Sequence, residues 1–507
     1  MSAPRRARAI ARGAASRLVA ISFITFAVES TSVLSATDAG ASANTNTTAQ
    51  QPAIVVVGGA WGPEGNQASL ETQVEALRKA LGPRASTLLF AAGDPQIRSV
   101  QVEDNRIKSN DGDSDEATER LGLVFARFEG LFVHYRPSKI KEAGMASKAG
   151  LLSAIRTASR SGSDVVVFAV GHGAPATEDA PAALELWGAD DQLYVDDLAA
   201  FMDRLSSRNK SKTAFVLGHC HSGAFADVMF EGGDNKRPIA HPARCVFAAV
   251  PKDREAAGCT PDVNDPSAQA YMSQIAHALG QRTVADFDGD GRTSLAEAHA
   301  YAKIQDPTID LPVSTSELWL EARPDDPDPK QTPNAWTVAD LLKAARPTER
   351  AVLTALGSEM DGAMTVGMMA LRLDREKDAL EVAQHALDET EAEREQLRRQ
   401  ILNAVLLKWP ELSNPYHPVS RRMLGGPDPS LMDLIKKRPE LEQIEQMDRR
   451  LTVQAQALLR QEKQVVQKER WLRTALYVAR EHSVRRRGRT KEITQLDAIL
   501  ACESMKP

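Results

Sequence analysis

Two short stretches of the sequence combine the side chains that nucleophilic catalysis needs. In "AFVLGHCHSG" (residues 214–223), Cys220 stands between two histidines at the end of an apolar run. In "DVVVFAVGHG" (residues 164–173), His172 stands between two glycines at the end of another apolar run. A cysteine becomes a strong nucleophile when an imidazole takes its proton, and that imidazole can then protonate a leaving group. The two stretches therefore predict Cys220 as a nucleophile and His172 as its general acid and base.

Two other interpretations of the same residues remain open. A zinc site could use His172, His219, Cys220 and His221, but three consecutive residues of an extended strand cannot all point at one ion. The sequence also lacks a second C-x-x-C or H-x-x-x-H pair that would support zinc. The remaining interpretation is an inert buried thiol, because free cysteine is among the most buried residue types.

The elements that must position these residues alternate between strand and helix, which predicts an α/β fold with a doubly wound, mostly parallel sheet. The predicted strands are "AIVVVGGA" (53–60), "STLLFAAG" (86–93), "SDVVVFAVGHG" (163–173), "KTAFVLGHCHSG" (212–223) and "RCVFAAV" (244–250). The predicted helices are "SLETQVEALRKAL" (69–81), "KAGLLSAIRTASRSG" (148–162) and "VDDLAAFMDRLSS" (195–207).

In such a sheet the functional crevice lies outside the carboxyl ends of the strands, where His172 and Cys220 both stand. The stretch "SGAFADVMF" after Cys220 can begin a helix, and a helix N-terminus favours a thiolate. The glycines beside both residues let backbone N–H groups approach a substrate carbonyl. The sequence therefore predicts a catalytic crevice if the two strands are neighbours.

These motifs resemble the caspase-fold (clan CD) cysteine peptidases, which include caspases, metacaspases, legumains and gingipains. "VGHG" and "CHSG" are most similar to the metacaspase and legumain-like versions, and the two motif residues are 48 positions apart. The similarity extends from about Ala53 to Ala322. The resemblance implies a cysteine endopeptidase of caspase fold in which Cys220 attacks the scissile carbonyl of a protein or peptide substrate. His172 would protonate the leaving amine, and the Gly173 and Cys220 N–H groups would bind the oxyanion.

The substrate pocket departs from the metacaspase pattern. Metacaspases usually carry an acid two residues before the cysteine, where it helps to bind a basic P1 side chain, and this chain has Gly218 there. The histidines beside the nucleophile, and the acids in the loop where the family builds part of its S1 pocket, are therefore the candidate substrate-binding or structural residues. They are His219, His221, Asp253 and Glu255.

A second site is predicted by "DFDGDGRTSLAE" (residues 286–297), which matches the EF-hand calcium loop at its defining positions. Helical patterns flank it, and a single loop without a partner favours structural calcium. The alternative is a plain turn, and no organic cofactor is expected. The predicted ligands are Asp286, Asp288, Asp290, the Arg292 carbonyl, Ser294 and Glu297.

The N-terminus predicts export. Five arginines precede the apolar "LVAISFITFAV" and a run of small residues, which is the order of a signal peptide and leader over residues 1–43. The expected location is secreted or periplasmic, with no membrane association after cleavage, and the alternative is an uncleaved membrane anchor. The net charge of −6 gives no reason to expect nucleic-acid binding. In such a compartment Cys245 and Cys259 could form a disulfide, which would leave Cys220 and Cys502.

The last third of the chain changes character. A linker rich in Pro and Asp is predicted at 323–336, and residues 337–507 are mostly long, charged helix. The pattern predicts an antiparallel helical hairpin or coiled coil that carries no chemistry. It could mediate self-association or partner binding, or fold back over the crevice as a lid. An inactive caspase-fold scaffold that acts through these helices is the alternative to an enzyme.

Overall fold

The computed structural model describes residues 51–103, 116–125, 133–160, 162–206, 210–262, 264–281, 283–325, 328–329, 331–414, 417–424 and 428–507. The predicted signal peptide and leader lie outside these residues. No helix of the described residues is long and apolar enough to cross a membrane. The strands are β1 Ala53–Gly59, β2 Ala85–Phe90, β3 Val100–Glu103, β4 Val133–Arg136, β5 Val165–Gly171, β6 Gly173–Ala174, β7 Ala183–Glu185, β8 Gln192–Tyr194, β9 Thr213–Gly218, β10 Arg244–Ala248 and β11 Val313–Ser314.

The helices of the described residues are given in two groups, those of residues 51–325 and those of the C-terminal region, and the helix Glu116–Phe125 of the first group packs on the C-terminal helices. The first group is α1 Ala68–Leu81, α2 Glu116–Phe125, α3 Lys148–Ser159, α4 Val195–Ser206, α5 Tyr271–Gly280, α6 Leu295–Gln305 and α7 Thr315–Glu321. The second group is α8 Val338–Ala344, α9 Pro347–Leu356, α10 Val366–Lys408, α11 Pro418–Leu424, α12 Pro429–Lys436, α13 Pro439–Arg487 and α14 Thr490–Glu503.

The main sheet has six strands in the order β11-β10-β9-β5-β1-β2. The strands from β10 to β2 are parallel to one another, and the short β11 runs antiparallel to β10. Every residue of β5 is buried, because helices cover both faces of the sheet: α1, α5 and α6 on one, α3 and α4 on the other. The predicted α/β class with a mostly parallel, doubly wound sheet is therefore confirmed, and the five predicted strands are its parallel strands.

Two small antiparallel sheets were not predicted. One pairs β3 with β4, and the other has the order β6-β7-β8. The second matters for the site, because β6 begins at Gly173, directly after His172. Strands of two to four residues are too short to show a periodic pattern in the sequence.

The C-terminal helices form the predicted antiparallel hairpin, in which α10 and α13 lie side by side. Ion pairs join Lys468 to Glu376 near one end of the hairpin and Arg394 to Asp448 near the other. Residues 51–507 nevertheless form one compact unit. Within the predicted linker, the Trp336 ring packs against His482 of α13 with ring centroids 4.9 Å apart. The helical region is thus packed on the sheet domain.

The predicted pairing of Cys245 with Cys259 is wrong, because Cys245 forms its disulfide with Cys502. Cys245 lies on β10, and α14 brings Cys502 against the sheet, where its Sγ is 3.5 Å from the Thr213 carbonyl. Cys259 instead carries a free thiol. A separation of 257 residues carries no local signal, so only the packing of α14 on the sheet selects this pair.

Candidate active site

The sheet places His172 and Cys220 next to each other. β5 and β9 are neighbouring parallel strands, and their last paired residues are Val170 and Gly218. Each candidate residue follows two positions later, so both lie just beyond the carboxyl ends of neighbouring strands. Paired parallel strands lie about 4.8 Å apart. The neighbouring strands on which the sequence-based hypothesis depended are therefore present.

The imidazole of His172 is oriented by two oxygens. Its Nε2 lies 2.8 Å from the Gly65 carbonyl oxygen and 2.9 Å from Gln67 Oε1. Because a carbonyl can only accept, Nε2 carries the proton and Nδ1 is left as the basic atom. The indole of Trp61 packs on the ring, with centroids 5.0 Å apart. Burial lowers the pKa of His172, so the imidazole is held neutral.

The sequence predicts no third catalytic residue, and no pattern in it indicates that Gly65 and Gln67 contact His172. They follow β1, which ends at the same edge of the sheet as β5. Glu185 of β7 was also missed. Its N–H donates to the His172 carbonyl (3.0 Å), and its carboxylate opposes the effect of burial on the pKa of His172. Glu185 therefore favours the charged imidazolium that forms whenever His172 takes up a proton.

The thiol of Cys220 is half-buried and lies against the loop that follows β10. The Ala256 N–H donates to Sγ at 3.2 Å. The pKa of Cys220 is raised to about 12. Burial of the thiol is the larger cause, and the nearby Cys259 thiol is the next. The expectation that a helix N-terminus favours the thiolate is thus wrong. The chain forms a short 3-10 helix from Ser222 to Met229, and the cost of burying the charge dominates.

We expect this burial to appear in the pH dependence of alkylation. Because the thiolate is the reacting species, iodoacetamide should modify Cys220 about tenfold faster for each pH unit between roughly pH 7 and pH 10. The rates are measured by mass spectrometry in Cys259→Ala protein, in which Cys220 is the only free thiol. A rate that levels off below about pH 9, as for an exposed cysteine, would show that the pKa is not raised.

Glycine is required at position 173 because the two strand ends are packed closely together. A Cβ atom on Gly173 would lie 2.0 Å from the Cys220 carbonyl oxygen and 2.5 Å from His219 Nδ1. No real Cβ approaches so near. The backbone of Gly173, one of the two predicted oxyanion donors, is therefore in direct contact with the backbone of Cys220, the other.

The predicted substrate residues occupy different environments. His219 is buried, its Nδ1 lies 2.8 Å from the Cys220 carbonyl, and burial lowers its pKa to about 4. His221 is partly exposed with a positive φ of 59°, and its Nδ1 lies 2.9 Å from the Lys252 carbonyl. Asp253 and Glu255 are exposed on the loop after β10, and Glu255 is near enough to raise the pKa of Cys220.

Cys259 is a second free thiol at this site, in place of the disulfide partner that its sequence position suggested. Its Sγ lies 3.9 Å from the carbonyl oxygen of Gly171, the residue before His172. Burial raises the pKa of Cys259 to about 12 as well. The sequence carried only a weak signal, because Cys220 follows β9 by two residues whereas Cys259 lies 11 residues beyond the end of β10.

The loop that holds Ala256 is braced by a buried arginine of α13. The Ala257 N–H donates to the Asp310 carboxylate at 2.7 Å. The guanidinium of Arg470 in turn donates to the Asp310 carbonyl oxygen at 2.6 and 2.9 Å. Arg470 also donates to the carbonyls of Lys303, Asp306 and Thr308. A continuous chain of contacts therefore links the C-terminal hairpin to the backbone beside Cys220.

The structure groups three of the predicted calcium ligands. Asp286, Asp288 and Asp290 each offer an oxygen, and these oxygens lie within 4.8 Å of one another. Among the described residues this is the group of His, Cys, Asp and Glu side chains close enough to share an ion, whereas the zinc alternative around Cys220 forms no such group. Asp286 Oδ1 is buried without a hydrogen-bond partner, which fits the role of a cation ligand.

The remaining predicted ligands form hydrogen bonds within the loop. Glu297 accepts from the N–H groups of Phe287 and Asp288 with Oε1, and from Ser294 with Oε2. Ser294 caps α6 in return, so neither side chain joins the aspartates in this arrangement. The Arg292 N–H donates to Asp290, and the Lys506 ammonium forms an ion pair with the same carboxylate.

Comparisons with known proteins do not assign this arrangement to a family. No protein-family model matches the chain, and no curated protein is significantly similar to it. The functional interpretation therefore depends on the geometry of His172 and Cys220 and on the two motifs that contain them.

Proposed function

We propose that this protein is a cysteine endopeptidase of the caspase type, with Cys220 as nucleophile and His172 as general acid and base. The observation that carries the proposal is the pair of oxygens, from Gly65 and Gln67, that hold the Nε2 proton of His172. That tautomer leaves Nδ1 as the atom proposed to take a proton from the Cys220 thiol. The "VGHG" and "CHSG" motifs and their resemblance to caspase-fold peptidases support the same assignment.

The proposed reaction begins with a neutral thiol and a neutral imidazole. Nδ1 of His172 takes the thiol proton as Sγ forms a bond to the scissile carbonyl carbon. The Gly65 carbonyl and the Glu185 carboxylate stabilise the imidazolium that results. The N–H groups of Gly173 and Cys220 would bind the developing oxyanion. The imidazolium then gives its proton to the departing amine, and water, deprotonated by His172, releases the acyl group from Cys220.

The substrate is proposed to be a protein or peptide outside the cytoplasm, in keeping with the predicted signal peptide. Gly218 contributes no acid to a P1 pocket, and a Cβ there would lie 3.1 Å from Met272. Asp253 and Glu255 are the exposed acids on the loop beside the nucleophile, and they are the candidates for contact with a basic side chain. The helical hairpin is proposed to mediate self-association or to bind a partner.

The alternative function is an inactive scaffold that acts through its helices. A mixed peptide library distinguishes the two, with cleavage sites read by mass spectrometry. Cys259→Ala protein should cleave the library and lose this activity after one equivalent of iodoacetamide has modified Cys220. Absence of cleavage by the wild-type protein, or cleavage that survives full modification of Cys220, would contradict the peptidase proposal.

We further propose that Asp286, Asp288 and Asp290 bind a structural calcium ion. Carboxylate oxygens are the ligands that Ca²⁺ prefers, and the buried Oδ1 of Asp286 has no other partner. The Arg292 carbonyl, Ser294 and Glu297 would complete the set after Glu297 leaves its N–H donors.

Replacing Asp286 with Asn should weaken calcium binding at least about tenfold, because an anionic ligand is lost. Calorimetric titration of chelator-treated protein measures the affinity, with Asp433→Asn, an exposed acid of α12, as the matched control. If wild type and Asp286→Asn have equal calcium affinity and equal calcium-dependent stability, the loop is only a turn and does not bind calcium through Asp286.

A further inference from the structure

A cavity of about 300 Å³ lies between the antiparallel edge of the sheet and the C-terminal helices. Helix α6 and the start of α7 form one wall, and α9, α13 and α14 form the other. None of the residues that surround Cys220 lines it, although the calcium loop meets it at Asp288, Ser294 and Glu297. Cavities of this size at the junction of two parts of a fold commonly bind small molecules.

His299 lines this cavity and has a buried hydrogen-bonding atom without a partner among the described residues. The side chain is only 5% exposed and lines the cavity. Its Nδ1 lies 2.8 Å from the Tyr271 hydroxyl, and its ring packs on Phe247 with centroids 5.0 Å apart. Its Nε2 has no hydrogen-bond partner in the described structure. A buried polar atom left unpaired is costly, and a partner in the cavity would remove that cost.

Glu503 offers the same cavity a buried carboxylate. It is 4% exposed, and its oxygens accept from the Ser316 N–H (2.8 Å) and hydroxyl (2.7 Å). Among the described residues, no Lys, Arg or His forms a salt bridge with it. The cations that line the cavity are already paired: Lys303 with Glu317, Arg346 with Glu349 and Glu481, and Lys506 with Asp290.

We propose that this cavity binds a small organic amine, with its ammonium group on the Glu503 carboxylate and a second polar group on His299 Nε2. A buried carboxylate favours a cation beside it, and burial raises the pKa of Glu503 to about 7. Phe247, Val352 and Leu500 supply apolar walls for methylene groups. The ligand class is therefore an aliphatic amine or diamine, and its binding does not depend on peptidase activity.

The test is a thermal-shift and calorimetric titration of the full-length protein with putrescine, with butane-1,4-diol as its uncharged counterpart. Putrescine should raise the melting temperature saturably by about 2 °C or more at millimolar concentration, and the diol should not. Glu503→Gln keeps the shape and hydrogen bonds but removes the charge, and it should abolish the shift. Glu389→Gln, which changes an exposed carboxylate of α10, should keep it.

His299→Phe provides a second variant that does not alter the carboxylate. It should weaken putrescine binding at least about tenfold, because a hydrogen bond to the ligand is lost. No saturable response to putrescine, cadaverine or methylamine would overturn the proposal. So would an equal response to the diol, or binding that is unchanged in both Glu503→Gln and His299→Phe.

Discussion

Replacing His172 with Ala is expected to lower kcat for peptide hydrolysis by about 10⁴-fold or more. Burial keeps the Cys220 thiol protonated, so attack requires a base at the moment the Sγ–carbon bond forms. Because His172 is proposed to carry both this proton and the one for the leaving amine, its removal should slow both transfers. The measurement is kcat and KM on a substrate taken from the peptide library, with KM expected to change little.

Two further variants make this result specific. Cys220→Ala and the double variant Cys220→Ala/His172→Ala should be equally inactive, because a nucleophile and its base act as one unit. His385→Ala removes a histidine that is 79% exposed on α10, and it should leave kcat unchanged. A His172→Ala protein that keeps more than about a tenth of wild-type kcat would reject His172 as the general acid and base.

Replacing Arg470 with Leu is expected to lower the free energy of unfolding by about 3–5 kcal/mol. The guanidinium is buried and donates to the carbonyls of Lys303, Asp306, Thr308 and Asp310. Its removal takes the donor from these carbonyls and the guanidinium from beside the Asp306 and Asp310 carboxylates, whose charged forms it stabilises. Unfolding in urea measures the effect.

The matched control is Arg399→Leu, because that arginine is 62% exposed and, among the residues that the structure describes, pairs with Glu395 of its own helix. It should change the free energy of unfolding by less than about 0.5 kcal/mol. Arg470→Leu should also change the alkylation rate of Cys220, because Asp310 holds the loop whose Ala256 N–H contacts the thiol. If Arg470→Leu keeps both the wild-type free energy of unfolding and the wild-type alkylation rate of Cys220, Arg470 does not stabilise this loop.

The hydrogen bonds of Arg470 to the Lys303–Asp310 backbone change how the helical region is interpreted. The hypotheses of an oligomerisation arm and of a lid both treat residues 337–507 as separable from the sheet domain. Arg470 and the disulfide of Cys502 instead anchor α13 and α14 to the backbone around β10 and β11. The hairpin therefore helps to hold the loop beside Cys220 in the candidate site.

The sequence alone was sufficient to predict the parallel strands, their flanking helices and the end of the sheet at which the candidate residues lie. Buried parallel strands read as continuous apolar runs, as in Val165–Val170, and helices show their period over several turns. Because parallel strands end at one edge of a sheet, two motifs that directly follow such runs can be assigned to one crevice from their positions in the chain. The grouping of Asp286, Asp288 and Asp290 could likewise be predicted, because these residues are close in sequence.

Only the tertiary structure shows the partners of His172 and the disulfide pairing, because both depend on contacts between residues that are distant in sequence. The oxygens of Gly65 and Gln67 reach His172 across more than a hundred positions, and Cys502 reaches Cys245 across 257. Such contacts depend on how the helices and strands pack against one another, and a local sequence pattern does not predict that packing. The protonation of Cys220 was misjudged for the same reason. A helix N-terminus can be predicted from sequence, but burial, which raises the pKa of this thiol, comes from the whole fold around it.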